Sequence, residues 1–178
     1  MHTSDAFTYA EVGATRRADL RRRPPRGYRA IERRVRIGRG EAAWRAAAQE
    51  TLRWGIQRRS GIEVAAPHEG PLAEGDVVVM RVPLWPRDVP CRVVYTVDEQ
   101  GGAGEPAVRG FAYGTLPGHP ERGEEVFLVE HDPDDSVWLR IRAFSRPAGW
   151  LFWAGYPAVL LMQRLYTRRY LHSLSGRP

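Results

Sequence analysis

Two periods divide this sequence, and the point where one gives way to the other limits the folds open to it. Between residues 76 and 145 apolar and polar residues alternate in short runs, at 76–84, 91–97, 109–116, 124–130 and 137–145. Alternation at period two is the mark of strands with one buried face. Short turn-forming stretches separate the runs: Pro83, Pro86 and Pro90, the glycine-rich stretch 98–105, and Asp132-Pro-Asp-Asp-Ser136. From Pro147 onward the spacing becomes helical. Trp150, Phe152, Trp153, Tyr156, Val159, Leu160, Gln163, Tyr166, Tyr170 and Leu174 form one broad apolar and aromatic stripe. Strands joined in sequence by short turns give an antiparallel meander. A long helix with such a stripe needs a sheet to lie on.

The first part of the chain supplies the rest of the sheet. Residues 28–37 alternate and read as a first strand, and Gly38-Arg-Gly40 ends it. Residues 41–55 are Ala-rich, acidic at the start and closed by a glycine, which predicts a helix with Trp44, Ala47, Ala48 and Leu52 on its inner face. A short strand follows at 61–64. The expected fold is α+β: a curved antiparallel sheet of about seven strands wrapped on a long C-terminal helix, with one helix after the first strand. Pro147 suits a first helical turn, and Pro157 marks a kink or the true start of the helix. Residues 1–27 read as an Arg-rich, partly irregular leader, in which Phe7, Tyr9 and Val12 add an edge strand or pack on the outside. Residues 28–178 read as a single domain. In the run at 109–116, Phe111, Tyr113 and Thr115 share one face. The other face holds only Gly110, Ala112 and Gly114, which lets another segment press against the backbone.

Charge excludes several chemistries. The chain carries 27 basic side chains, all arginine. Without lysine there is no Schiff base, no phosphate-loop lysine and no lysine general base. Residues 1–60 hold 15 arginines against 6 acids, a net of +9, and residues 61–178 hold 12 against 15, a net of −3. A basic first third draws nucleic acid or an anionic surface, but after the leader only Tyr28, Trp44 and Trp54 are there to stack on bases, so nucleic acid is not the expected partner. The single cysteine, Cys91, has no disulfide partner within the chain and reads as a core thiol. No apolar run reaches the ~18 residues of a membrane span, and the cytoplasm is the expected compartment.

The layout resembles the helix-grip fold of the pollen-allergen and lipid-transfer (START-like) superfamily. Several blocks are more specific: Pro25-Arg-Gly-Tyr28, Ile37-Gly-Arg-Gly40, Cys91-Arg-Val-Val-Tyr95, Gly110-Phe-Ala-Tyr-Gly-Thr-Leu-Pro-Gly-His-Pro120, Gly123-Glu-Glu-Val-Phe127 and Phe144-Ser-Arg-Pro147. Together with residues 47–54 and 163–170, they resemble the domain of unknown function 1990 family over nearly the whole chain after the leader. The resemblance implies a fold and no particular reaction.

The candidate chemistry lies around residues 111–127. His119, between Gly118 and Pro120, is either an acid/base group or a ring that locks its own turn. As an acid/base group it would be oriented by Glu121, Glu124 or Glu125, and the catalytic candidates are His119, Glu124 and Glu125. Tyr95, Tyr113, Thr115 and Ser145 are expected on the concave face of the sheet, and Gln163 on the inward stripe of the helix. Tyr95, Tyr113, Thr115 and Gln163 are the candidate ligand contacts, since polar tips among apolar bodies suit an amphipathic molecule. No ligand spacing for a metal is present, and no dinucleotide or phosphate loop calls for a cofactor. The leading expectation is a module that binds a small hydrophobic or amphipathic ligand between sheet and helix. The alternatives are an enzyme using His119 with Glu124 or Glu125, and a nucleic-acid or anionic-surface binder using the Arg-rich third. Nothing in the sequence fixes an oligomeric state.

Overall fold

A computed structural model describes residues 6–83, 85–149 and 156–174, with side chains of the last helix described from Leu161 onward. Seven strands form one sheet: β1 (Arg29–Arg39), β2 (Glu63–Ala65), β3 (Val77–Arg81), β4 (Val89–Glu99), β5 (Ala107–Thr115), β6 (Glu121–His131) and β7 (Ser136–Pro147). Their spatial order is β1-β7-β6-β5-β4-β3-β2, and the paired strands are all antiparallel. Strands β2 to β7 are thus a plain meander, and β1 lies beside the last of them. Helices α1 (Glu41–Thr51) and α2 (Gly55–Arg59) carry the chain from β1 at one edge to β2 at the other. The C-terminal helix α3 (Tyr156–Ser173) lies against this arrangement, touching α2 and β1.

The single helix expected at 41–55 is two helices. Trp54 adopts φ +63° and breaks the first from the second. Gly55 follows because a Cβ there would stand 2.6 Å from the Glu50 carbonyl oxygen, closer than any side chain tolerates. Pro147 is not in a first helical turn but ends β7, opposite Glu121. A residue without an N–H is tolerated at a strand end. The described part of α3 starts at Tyr156, so Pro157 occupies the first turn. The expected stripe residues Trp150, Phe152 and Trp153 lie outside the described residues, as do the side chains of Tyr156, Val159 and Leu160.

The core lies between the concave face of the sheet and the helices. Val137, Leu139 and Ile141 of β7 point inward and are fully buried, as their alternation predicts. An aromatic chain crosses this core. The rings of Trp54 and Phe111 are 4.7 Å apart, Phe111 and Phe127 5.8 Å, and Phe127 and Tyr170 5.4 Å.

The convex face is covered by the chain's own beginning. Phe144 points outward from β7 yet is 0% exposed. It is enclosed by Tyr9, Ala14 and Leu20, with Phe7, Tyr28 and Ala30 around them. The Thr8 amide donates to the Thr115 carbonyl at 3.1 Å. This segment is what presses on the bare face of β5: a Cβ on Gly114 would run into the Tyr9 hydroxyl and come within 2.9 Å of the Phe7 ring. Gly114→Ala is therefore expected to cost about 1–3 kcal/mol and to raise amide exchange in residues 8–15 while β6 stays protected. Unchanged stability and unchanged exchange would show that the segment does not rest on β5.

Candidate functional site

The helix and sheet do not fill the space between them. A cavity of about 500 Å³ remains, with walls from β3, β4, β5, β6, β7 and α3. Met80, Val82, Trp85 and Val89 give it an apolar wall on the β3–β4 side. On the β6–β7 side and on α3 its lining is mixed: Glu121, Glu125, Ser145 and Gln163 stand among Ala143, Phe144 and Met162.

His119 sits where the sequence places it, in a tight turn. Its amide donates to the Leu116 carbonyl at 3.1 Å, and Gly118 between them takes φ +101°. Pro117 then Gly118 at the two central positions is the signature of a type II turn. The ring lines the cavity, but Nδ1 is tied to the turn itself. It accepts from the Glu121 amide (2.9 Å) in one tautomer and donates to the Glu121 carbonyl (3.0 Å) in the other. No carboxylate among the described residues is bonded to it. Burial lowers its pKa to about 4, with the bond to Glu121 opposing the shift, so the ring is neutral near pH 7.

The adjacent glutamates part company because successive strand residues face opposite ways. Glu124 contributes backbone to the cavity wall, but its carboxylate points to the convex side. There it accepts from the Tyr9 hydroxyl (2.8 Å), the Gly13 amide (2.7 Å), the Thr15 amide (3.1 Å) and the Thr15 hydroxyl. Glu124 thus holds the N-terminal segment in place and is out of reach of His119. Glu125 faces inward and accepts from the Tyr113 hydroxyl at 2.7 Å. It does not touch His119 either. Burial pushes its pKa up to about 7, the Tyr113 bond opposes this, and the nearby Glu121 charge adds to it.

Tyr95 is not on the concave face. A bulge between Val93 and Tyr95 slips the pairing by one residue, so Val93 opposes Tyr113 but Tyr95 opposes Ala112. A one-residue slip sends every later side chain to the other face. Tyr95 therefore joins Ala112 and Val126 outside, and its hydroxyl meets the Thr15 hydroxyl at 2.7 Å. Thr115 does line the cavity, but its hydroxyl accepts from the Gly123 amide (3.0 Å) and lies 2.6 Å from that of Thr8. Cys91 is wholly buried, and burial, then the Glu125 charge, pushes its thiol pKa far up, so it is no nucleophile.

Gln163 reaches the sheet. Its amide donates to Glu121 Oε1 (2.6 Å) and to the Ser145 hydroxyl (2.9 Å), and that hydroxyl lies 3.2 Å from the same carboxylate oxygen. Burial raises the Glu121 pKa to about 7 against these two bonds. The sequence reading began β6 at Glu124 and so left Glu121 off the sheet. The strand starts at Glu121, immediately after Pro120, and this puts Glu121 on the same face as Glu125. Tyr170 was legible only as an apolar stripe residue. In the structure it lines the cavity, which places a hydroxyl of α3 on the cavity wall.

The model of a domain of unknown function, DUF1990, matches residues 8–173. The chain belongs to this family. Its relatives include a UPF0548 protein of Deinococcus radiodurans, 38% identical over 95% of this chain and 86% of that protein. A UPF0548 protein of Arabidopsis thaliana is 41% identical over 45% of this chain and 39% of that protein. Among solved structures, a hypothetical protein of Helicobacter pylori superposes with a TM-score of 0.53 at 12% identity over 99% of both chains. A truncated norcoclaurine synthase of Thalictrum flavum gives 0.50 at 9% identity over 85% of this chain and 96% of that one. At such identities the likeness is one of fold, and the fold is the helix grip. No helix among the described residues is long and apolar enough to cross a membrane.

The buried acids set a pH dependence. Glu121 and Glu125, ordinarily at 4.5, titrate near 7 in the folded chain. Between these values the folded chain binds more protons than the unfolded one, so stability falls as pH rises. His119, lowered from 6.5 to about 4, acts in the opposite direction between those values. Two carboxyls against one imidazole leave a net fall between pH 5 and 7. In urea titrations across that window, Glu125→Gln should flatten the fall and exceed the unaltered chain by about 1–3 kcal/mol at pH 8. A chain that instead grows more stable from pH 5 to 7 contradicts the burial of these carboxyls.

Proposed function

We propose that the chain binds a small amphipathic molecule in the cavity between the sheet and the C-terminal helix. The observation that carries this reading is a cavity of about 500 Å³ whose wall is apolar on the β3–β4 side and carries its carboxylates on the β6–β7 side. That size suits a metabolite or a short lipid, and the division of the wall suits one with a polar end. The polar end would lie at Glu121, Ser145, Gln163 and Glu125, and the apolar body against Met80, Val82 and Trp85. Of the residues singled out from sequence, Tyr113 and Gln163 belong to this reading directly, and His119 and Thr115 as parts of the wall.

A catalytic reading on His119 has less support, because the imidazole has no carboxylate partner and is bound to its own turn. If the cavity carries out acid–base work, Glu121 and Glu125 suit it better, with pKa values near neutrality. Charge-driven binding by the first third has little support either. Arg34 pairs with Glu130 and Asp132, Arg45 with Glu41, and Arg59 with Glu50.

The direct test is uptake of N-phenyl-1-naphthylamine, a neutral probe that fluoresces in apolar surroundings. Ala143 lines the cavity from β7, and Ala143→Phe would fill part of it. The probe is expected to bind the unaltered chain with one-to-one stoichiometry and the variant at least tenfold more weakly, with both melting cooperatively. Equal binding by the two would place the probe elsewhere and remove the case for the cavity.

A further inference from the structure

The polar lining of the cavity is unbalanced in charge. Three of its hydrogen-bond donors are committed to carboxylates: Tyr113 to Glu125 Oε2, and Gln163 and Ser145 to Glu121 Oε1. Each carboxylate keeps a second oxygen, Oε2 of Glu121 and Oε1 of Glu125, that accepts from no described residue. Neither forms an ion pair among the described residues, in a chain with 27 arginines. The arginines near them in sequence or space are turned away. Arg122 and Arg146 lie opposite each other on the convex face, Arg146 over the Tyr28 ring, and Arg164, Arg168 and Arg169 of α3 are exposed.

The other titratable groups around the pair are neutral near pH 7. Burial holds His119 without its second proton, and it keeps the hydroxyls of Tyr113 and Tyr170 and the Cys91 thiol protonated. Two half-buried carboxylates therefore line one cavity with no counter-charge among the described residues, a costly arrangement unless a cation joins them or protons neutralise them. A metal ion is a poor fit. No group of three or more His, Cys, Asp or Glu side chains with metal-binding geometry occurs among the described residues, and oxygen-bound metals want more ligands than two. An ammonium needs only acceptors, and it brings up to three donors. Gly123 lies between the two glutamates on β6 and lines the same cavity.

We propose that the occupant is an organic amine, its ammonium seated between Glu121 and Glu125 and its apolar body against Met80, Val82 and Trp85. This rests on the small-ligand reading above. Binding would draw both carboxyls into their charged form, so uptake releases protons and strengthens as pH rises from 6 to 8.

Three probes with one chain length separate the possibilities: n-octylamine, 1-octanol and octanoate, titrated by calorimetry at pH 7 and low salt in two buffers of different ionisation enthalpy. The amine is expected to bind at least about tenfold more tightly than the alcohol, a difference of about 1.4 kcal/mol, with net proton release, and octanoate more weakly than either. In the doubly substituted Glu121→Gln, Glu125→Gln chain, checked for folding by circular dichroism, the preference for amine over alcohol should vanish. Octanol or octanoate binding as tightly as the amine would overturn the amine and leave the cavity as a site. Failure of all three to bind, or to displace N-phenyl-1-naphthylamine, would overturn the small-ligand reading and the amine with it.

Discussion

The edge contact between Tyr170 and Phe127 decides how the last helix sits, and most of the site follows from that seat. The two rings are 5.4 Å apart at 81°, and Phe127 is itself stacked on Phe111 and on Tyr113. Edge-to-face pairs add about 0.5–1.5 kcal/mol each beyond the area they bury. Tyr166 and Tyr170 are both buried, which pins the C-terminal half of the helix to the middle of the sheet. Met162 and Gln163 line the cavity together with Tyr166, Thr167 and Tyr170.

The same alternation that builds the sheet gives two neighbouring glutamates opposite surroundings. Glu124 meets four donors from the N-terminal segment, enough to satisfy a buried carboxylate without a counter-ion. Glu125, one residue on, meets one. The N-terminal segment therefore contributes to the site by subtraction. By holding Glu124 and covering Phe144 and Gly114 on the convex side, it leaves the inner face of β6 with Glu121, Gly123 and Glu125 as the surface a ligand would meet. Removing the segment would leave Phe144 and the Glu124 carboxylate uncovered, so the segment and the sheet depend on each other.

Element order and type were legible because period is a strong signal: about seven strands, a meander and a closing helix, though not the pairing of β1 with β7. Faces were legible wherever a strand ran without interruption, as in β7 and β5. They were lost at the β4 bulge, since nothing in Cys91-Arg-Val-Val-Tyr95 marks an extra residue, and Tyr95 was read onto the wrong side. The start of β6 was lost for another reason. Pro120 and Gly123 look like turn residues, and only the pairing with β7 shows that Glu121 already belongs to the strand. The Glu121–Gln163 bond joins residues 42 apart in sequence, so no local pattern could have revealed it. The small residues on one face of β5 did announce that something packs there. Phe7 and Tyr9 were readable as apolar, but their seat on Gly114 was not.

The central claim is that two half-buried carboxyls line one cavity without a cationic side chain beside them among the described residues. Carbon-13 NMR titration of the glutamate side-chain carboxyls, with Glu121 and Glu125 assigned from their Gln variants, tests it most directly. Two resonances titrating near pH 7 in the free chain, both moving to lower pH when n-octylamine is added, are the predicted result. Glutamates that all titrate in the ordinary range around 4.5 would contradict it, because carboxyls open to water or paired with an arginine have no reason to hold their protons.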